Sequence, residues 1–446
     1  MFQALLDDDL RALESLKAGG GGGKEYATVV VAASNSHATG KATADFVCTG
    51  TNDETVIQQA VSTAQSLGNN NGCRVMFLEG DYNISASAPT PTVSLGSGTM
   101  IQGQGSGTRF NLADRSSSGT FIRLTGSRPA VTDVSFVVGD RWSAIVSEIS
   151  SGEWYLVDRC SFRIPNTVTS SARGIQGNAV SSGRTAFVRA CSCVKEGPVG
   201  RFIESQLDFP IMSGCVAIST VADATDRLVN VAFGMVVDCY FEQASTTVVT
   251  YDGFSSVFGV LLCLNNRVVN PTGPAVDMRK LGSPNATLTV VGNYFVGRRA
   301  LLLGRGGVNV LFLGNILEQA AGGTSSLVFF DLQDGSSTAV TGGNHTLTNN
   351  VLIMLNSAAT GLSMVDFSIP VNANSRWQNV RFFHNTFVGG GTTPPAFGIR
   401  IPSSKIEKTI IVGNQFLDTF ATAQIQNSGT NTILTYPTGT LGNNFS

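Results

Sequence analysis

Six residues in the second half of the chain carry side chains able to act on a sugar or to hold one. They lie in short alternating segments: Val276-Asp277-Met278-Arg279, Val328-Phe329-Phe330-Asp331-Leu332, Val365-Asp366-Phe367 and Ile399-Arg400-Ile401. Successive side chains of a strand point to opposite faces. With the apolar residues turned inward, Asp277, Arg279, Phe329, Asp331, Asp366 and Arg400 share one outward face. If these segments are successive turns of one structure, Asp331 and Asp366 stand on neighbouring turns with backbones about 4.8 Å apart. Two carboxyl groups about 5–5.5 Å apart are the geometry of a retaining glycosidase, one acid protonated and the other a nucleophile. The plainer alternative is a surface acid on each of two turns. The face then holds a glycan without cleaving it, with Asp277, Arg279, Phe329 and Arg400 as the contacts.

Other chemistries find little purchase. The three histidines are His37, His345 and His384, and no Ser-His-Asp order or metal-ligand spacing emerges around them. Neither a metal nor a cofactor is expected. Gly103-Gln104-Gly105-Ser106-Gly107 has no following helix with an acidic ribose ligand, so it reads as a backbone corner rather than a nucleotide loop. Asn83-Ile84-Ser85, Asn285-Ala286-Thr287 and Asn344-His345-Thr346 match the glycosylation pattern by chance.

The elements that would position these residues are written in a repeat. A hydrophobic alternation ends in Cys or Asn, then any residue, then an apolar one, as in Val-Asp-Arg-Cys-Ser-Phe at Phe162 and Val-Gly-Asn-Tyr-Phe at Phe295. The marked position falls at Val134, Cys160, Cys191, Cys215, Cys239, Asn266, Asn293, Asn315, Asn350, Asn385 and Asn414. From Val134 to Asn414 the chain advances 280 residues in ten steps, 28 per step. That is too short for a four-stranded propeller blade, and it suits one coil of three short parallel strands and three corners. The expected fold is all-β, a parallel β-helix of eleven or more rungs, right-handed by the crossover rule. Asn at one place in consecutive rungs passes side-chain hydrogen bonds along the axis at the strand spacing. Cys is small and tolerates burial at the same place. This column is structural, and Phe241, Phe295, Phe387 and Phe416 should fill the interior beside it.

Composition agrees. Fifty glycines and 13% charged residues suit tight corners around a long core, and a formal net charge of -2 gives no basic field for nucleic acid. No apolar run is long enough to span a bilayer. The start of the chain lacks a basic region followed by an apolar one, so no Sec signal is read. Four of the eight cysteines occupy the repeated column, so buried free thiols and assembly in a reducing cytoplasm are expected.

The chain divides into five parts. Residues 1–18 form an acidic amphipathic helix with Phe2, Leu6, Leu10, Leu13 and Leu16 near one stripe, too short to stand alone. Residues 19–25 are a glycine-rich hinge. Residues 26–71 hold an entry strand and a capping helix from about Glu54 to Leu67, with Val56, Ile57, Ala60, Val61 and Ala64 on its apolar face. Asp53 or Thr51 supplies its cap. Residues 72–430 are the β-helix and 431–446 a tail. His37 lies in the N-terminal linker, and His384 points outward just before Asn385.

Thr49-Gly50-Thr51-Asn52-Asp53-Glu54-Thr55-Val56-Ile57-Gln58-Gln59-Ala60 leads into Gly72-Cys73-Arg74-Val75-Met76-Phe77-Leu78-Glu79-Gly80-Asp81-Tyr82, then Gly98-Thr99-Met100-Ile101-Gln102-Gly103-Gln104-Gly105. This resembles the opening of the pectate-lyase-like right-handed β-helix superfamily, and with the repeat the resemblance covers residues 41–430. It looks most like the tail spikes and minor tail proteins of bacteriophages, which carry a short N-terminal attachment segment. The resemblance implies a homotrimeric virion tail component, assembled in the bacterial cytoplasm and attached to other tail proteins through residues 1–18. Its partner outside is a host surface polysaccharide, with no nucleic acid and no membrane insertion. The superfamily's aspartate-cluster calcium site and its paired-aspartate Gly-His-Gly signature are both missing here. A receptor-binding spike is therefore favoured over a depolymerase, which would need the Asp331–Asp366 pair.

Overall fold

The computed structural model describes residues 27–435, apart from 69–71, 150–152, 178–183, 206–207, 222–226, 232–233, 244–248, 252–259, 279–286, 304–308, 333–340 and 356–359. The expected anchor helix and hinge lie outside the described residues. Among the described residues every strand pairing is parallel, and successive coils pair strand to strand. The first sheet has 16 strands, running from Phe46–Val47 and Ala27–Ala32 to Ile433–Thr435. The other face is one continuous set of strands with two pairing series, a second sheet through Ser161–Ile164, Ser192–Lys195 and Gln415–Leu417 and a third through Arg173–Gly177, Val328–Phe330, Ser363–Phe367 and Phe397–Ile401. The two series meet along strands such as Arg267–Met278 and Tyr294–Leu303. This is the right-handed parallel β-helix that the repeat predicts.

The corner between the first and second sheets explains the repeated phrase. The residue just before each marked position adopts positive φ at every rung from Asp133 (56°), Arg159 (51°) and Ala190 (48°) to Asn349 (53°), His384 (52°) and Gly413 (65°). That left-handed turn favours Gly, Asn and Asp. At Gly292 any Cβ would also stand 2.6 Å from the Asn265 side chain on the preceding rung. The marked residue then turns inward and closes the corner.

There the amides form one column. Asn266, Asn293, Asn315, Asn350 and Asn385 each donate Nδ2 to the next rung's Oδ1 at 2.9 Å, ending on Asn414. Each Nδ2 also donates to a first-sheet carbonyl of the rung before, from Val236 to Phe382. Each Oδ1 also accepts the preceding marked residue's backbone N–H at 2.8–3.0 Å. The cysteines occupy the same seat more weakly. Cys160, Cys191 and Cys215 point Sγ at the equivalent carbonyls of Val131, Val157 and Val188 at 3.4–3.5 Å. All eight cysteines are buried thiols outside any disulfide. Phe241, Phe295, Phe387 and Phe416 fill the interior, and Phe387 stacks on Phe416 with centroids 4.8 Å apart.

The N-terminal end is closed by a helix over Glu54–Gly68, with Ile57, Ala60, Val61 and Ala64 buried against the first rungs. Asp53 precedes it and accepts from Ile57 N through its backbone carbonyl, while its side chain turns elsewhere. Its carboxylate accepts from Gly50 N and Asn83 N, both at 2.8 Å, tying the helix entry to the second sheet. Three features depart from the sequence reading. His37 does not lie in an open linker: its Nδ1 accepts from Thr39 N and caps a short helix, Ala38–Thr43. Ile433–Thr435 of the expected tail pair with Ile410–Val412, because their alternation continues the first sheet. A small extra sheet of Thr341–Gly343, Arg376–Gln378 and Ile406–Glu407 buries Trp377 near the C-terminal end.

Candidate functional site

The third sheet carries the residues singled out by chemistry. In register, Asp277 pairs with Leu302, Leu302 with Phe329 and Phe329 with Asp366. Arg400 reaches Asp366 from the following rung, with Nε 2.9 Å from Oδ1 and Nη2 2.5 Å from Oδ2. Phe329, Asp366 and Arg400 therefore come together, while Leu302 separates them from Asp277; Arg279 lies outside the described residues. The Arg299 guanidinium covers the Phe329 ring at 4.7 Å.

The expected acid pair takes a different register. Asp366 stands beside Phe329, so Asp331 lies two residues further along its strand. Two strand steps combined with one strand spacing separate the two backbones by about 8 Å, rather than the single spacing expected. Asp366 is only 4% exposed, and both of its oxygens are committed. Oδ1 also accepts from Phe367 N at 2.9 Å, and Oδ2 lies 3.3 Å from Ser326 Oγ. Its outward direction does not expose it, because the Arg400 side chain folds over it. The carboxylate is an ion-pair anchor, each of its oxygens held by two partners.

A second constellation stands in the slot that the repeated phrase leaves free, the residue after each marked position. That residue points outward at the start of the second sheet. In three consecutive rungs it is Tyr240, Arg267 and Tyr294, paired in register. The Arg267 guanidinium lies between the two rings, 5.6 Å from Tyr240 and 5.4 Å from Tyr294. Two residues on, and on the same face, Glu242 accepts a close hydrogen bond from the Tyr240 hydroxyl. Glu318, one rung past Tyr294, accepts the Tyr294 hydroxyl in the same way. Burial raises the Tyr240 phenol and Glu242 adds to the rise; for Tyr294 the Glu318 hydrogen bond leads and burial follows. Both phenols stay protonated donors at neutral pH.

Exposed Val216 and Ile316 continue this column at either end. Aromatic faces, carboxylates and a guanidinium on one ridge offer stacking surface and directional hydrogen bonds to a sugar chain. The signal for it was present in the sequence: once the marked residue is known to face inward, the next one faces out.

One polar cleft lies at the N-terminal end. It has a volume of about 340 Å³ and is lined by Asn35, His37, Glu79, Asp81 and Arg109. Burial would raise the Asp81 carboxyl, but hydrogen bonds and charge from Arg109 hold it below its ordinary value. Among the described residues no group of His, Cys, Asp and Glu is placed to hold a metal ion, and no helix is long and apolar enough to cross a membrane.

No protein-family model matches the chain, and no curated protein matches it in sequence. The solved structures that it resembles are β-helix proteins. A variant of the GH87 alpha-1,3-glucanase catalytic domain in complex with nigerose superposes with a TM-score of 0.50 at 13% identity, over 93% of this chain and 69% of that one. The A-module of a mannuronan C-5 epimerase from Azotobacter vinelandii gives 0.45 at 15% identity, covering 85% and 95%. Tailspike protein 3 of bacteriophage CBA120 gives 0.46 at 13%, covering 89% and 60%. At these identities the likeness is one of fold.

Proposed function

We propose that this protein is a bacteriophage tail spike or minor tail protein that holds a host surface glycan along the side of its β-helix. The observation that carries the reading is the outward column Tyr240–Arg267–Tyr294 with Glu242 and Glu318 beside it. A buried scaffold has no use for this ridge of aromatic and charged groups, whereas a saccharide is bound by such a set. Phe329 and Arg400 on the third sheet form a secondary contact. The amphipathic stripe of residues 1–18 and the glycine hinge support attachment to other tail proteins, with three copies side by side about an axis parallel to the helix. Binding is favoured over cleavage because Asp366 is tied to Arg400 and out of register with Asp331.

The test is incubation of the purified protein with host cell-wall polysaccharide. Retention of the polysaccharide without new reducing ends is the expected result. Release of reducing ends that Asp331→Asn or Asp366→Asn abolishes would replace this reading with a depolymerase. Failure to retain any host polysaccharide would remove the glycan role altogether.

A further inference from the structure

We propose that the Tyr240–Arg267–Tyr294 column takes an extended heteropolysaccharide lying along the helix axis, one sugar per rung, with an isolated uronate-bearing sugar over Arg267 and neutral sugars on either side. This rests on the glycan-holding reading and adds the ligand's register and charge.

The register comes from a shared period. Each rung advances the column by one strand spacing, about 4.8 Å. An extended chain of pyranose rings advances by nearly the same length per sugar. Tyr240 and Tyr294 are two rungs apart, so alternate sugars of a chain parallel to the axis meet alternate rings, and the sugar between them meets Arg267.

The charge comes from what each side chain already does. Among the described residues no carboxylate pairs with Arg267; its contacts are the two rings. The rings hold an exposed guanidinium in place, so its fork is ordered before any ligand arrives. An ordered fork with no counter-ion suits a carboxylate bound through two N–H groups. Glu242 and Glu318 set the limits. They stand three rungs apart in register, about 14 Å, on the column beside the rings. A neutral sugar can donate hydroxyls to them, but a second uronate near either one meets like charge. The pattern therefore selects one acid among neutral sugars and rejects a polyuronate. The exposed Val216 and Ile316 extend the apolar part of the ridge by one rung at each end.

The test uses the full-length protein on an array of bacterial polysaccharides of known repeat, each printed in native and carboxyl-reduced form, with polygalacturonate and dextran included. Polysaccharides with one uronate per repeat should bind best, and carboxyl reduction should weaken them about tenfold or more. Arg267→Gln should reproduce that loss on the native forms and leave the reduced forms unchanged. Tyr240→Ala and Tyr294→Ala should weaken both forms. Binding that carboxyl reduction does not change, or strongest binding to polygalacturonate, overturns the uronate assignment and leaves the glycan-holding reading standing. No binding to any polysaccharide overturns both. A changed sedimentation coefficient in Tyr240→Ala or Tyr294→Ala assigns the column to contact between copies and overturns the proposal.

Discussion

Replacing Asn315 by Asp exchanges one NH2 group for an oxygen and hardly alters shape, so it isolates what the amide column contributes. Asn315 is fully buried, and its Nδ2 donates to Val290 O and to Asn350 Oδ1, each at 2.9 Å. Asp keeps the two bonds that Oδ1 accepts from Asn293 N and Nδ2. It loses both donations and turns a charged oxygen toward two buried acceptors. Two lost hydrogen bonds amount to about 2 kcal/mol, and the stranded Val290 carbonyl adds about 1–3 kcal/mol. The expected loss at pH 7 is about 4 kcal/mol. A protonated Asp restores one donation, so the folded state favours the neutral acid and raises its pKa above the unfolded value of about 3.9. The destabilisation is therefore smallest below pH 4 and grows as pH rises from there to the folded pKa. Because rungs couple mainly to their neighbours, amide exchange over residues 293–350 is the sharpest assay, supported by denaturant unfolding at pH 4 and pH 7. Asn315→Cys is the control: Cys191 already directs its Sγ at the equivalent Val157 carbonyl, so this change should cost roughly half as much. A loss under about 1 kcal/mol for Asn315→Asp at pH 7, or the same loss at both pH values, would refute the reasoning.

Three further outcomes are expected. Asp366→Asn should lower stability by about 1–2 kcal/mol, a partly exposed pair being worth less than a buried one, and reduce polysaccharide retention only slightly, through the loosened Arg400 contact; a lost enzymatic activity in that variant would show the acid to be catalytic. The cysteines should stay reduced, and Cys48 and Cys193 should react slowly with iodoacetamide until the protein unfolds, since burial pushes the Cys193 thiol up to about 12, as burial and then Asp53 do for Cys48; cross-links among Cys160, Cys191, Cys215 and Cys239 in non-reducing mass spectrometry contradict this. Deleting residues 1–23 should leave a folded body that keeps its β-sheet circular dichroism signal and no longer joins the particle; normal incorporation into virions would show the anchor assignment to be wrong.

Much of the fold was legible because a β-helix writes its geometry into a period. The marked Cys and Asn positions, the inward Phe residues and the capping helix each follow from one local rule applied repeatedly. Legibility stopped where a second rung sets the outcome. The register offset between Asp331 and Asp366 depends on how many residues each coil spends in its corners, and coil steps here vary from 22 to 35 residues. Alternation gives the side on which Asp366 lies, but not that Arg400 folds back over it. The Tyr240–Arg267–Tyr294 column was hidden for the opposite reason. Its slot is the one whose residue type varies from rung to rung, so a search for repetition discards it, although its direction is as fixed as its neighbour's.

The two columns are coupled by their adjacency in the chain. Asn266 and Asn293 each immediately precede Arg267 and Tyr294, and the Cys239 backbone N–H, just before Tyr240, donates to Asn266 Oδ1 at 3.0 Å. The marked column changes from cysteine to asparagine at this rung, where thiol contacts of 3.4–3.5 Å to the rung before give way to amide bonds of about 2.9 Å that hold consecutive rungs together. The outward residues Tyr240, Arg267 and Tyr294 thus project from the first rungs that the amide column fixes along the axis. A ligand that reads spacing from rung to rung needs that spacing held, because any slack between rungs would be an ordering cost charged to binding. If the outward ridge takes a glycan as proposed, the inward amides hold the spacing that the glycan would read, although no ligand would touch them.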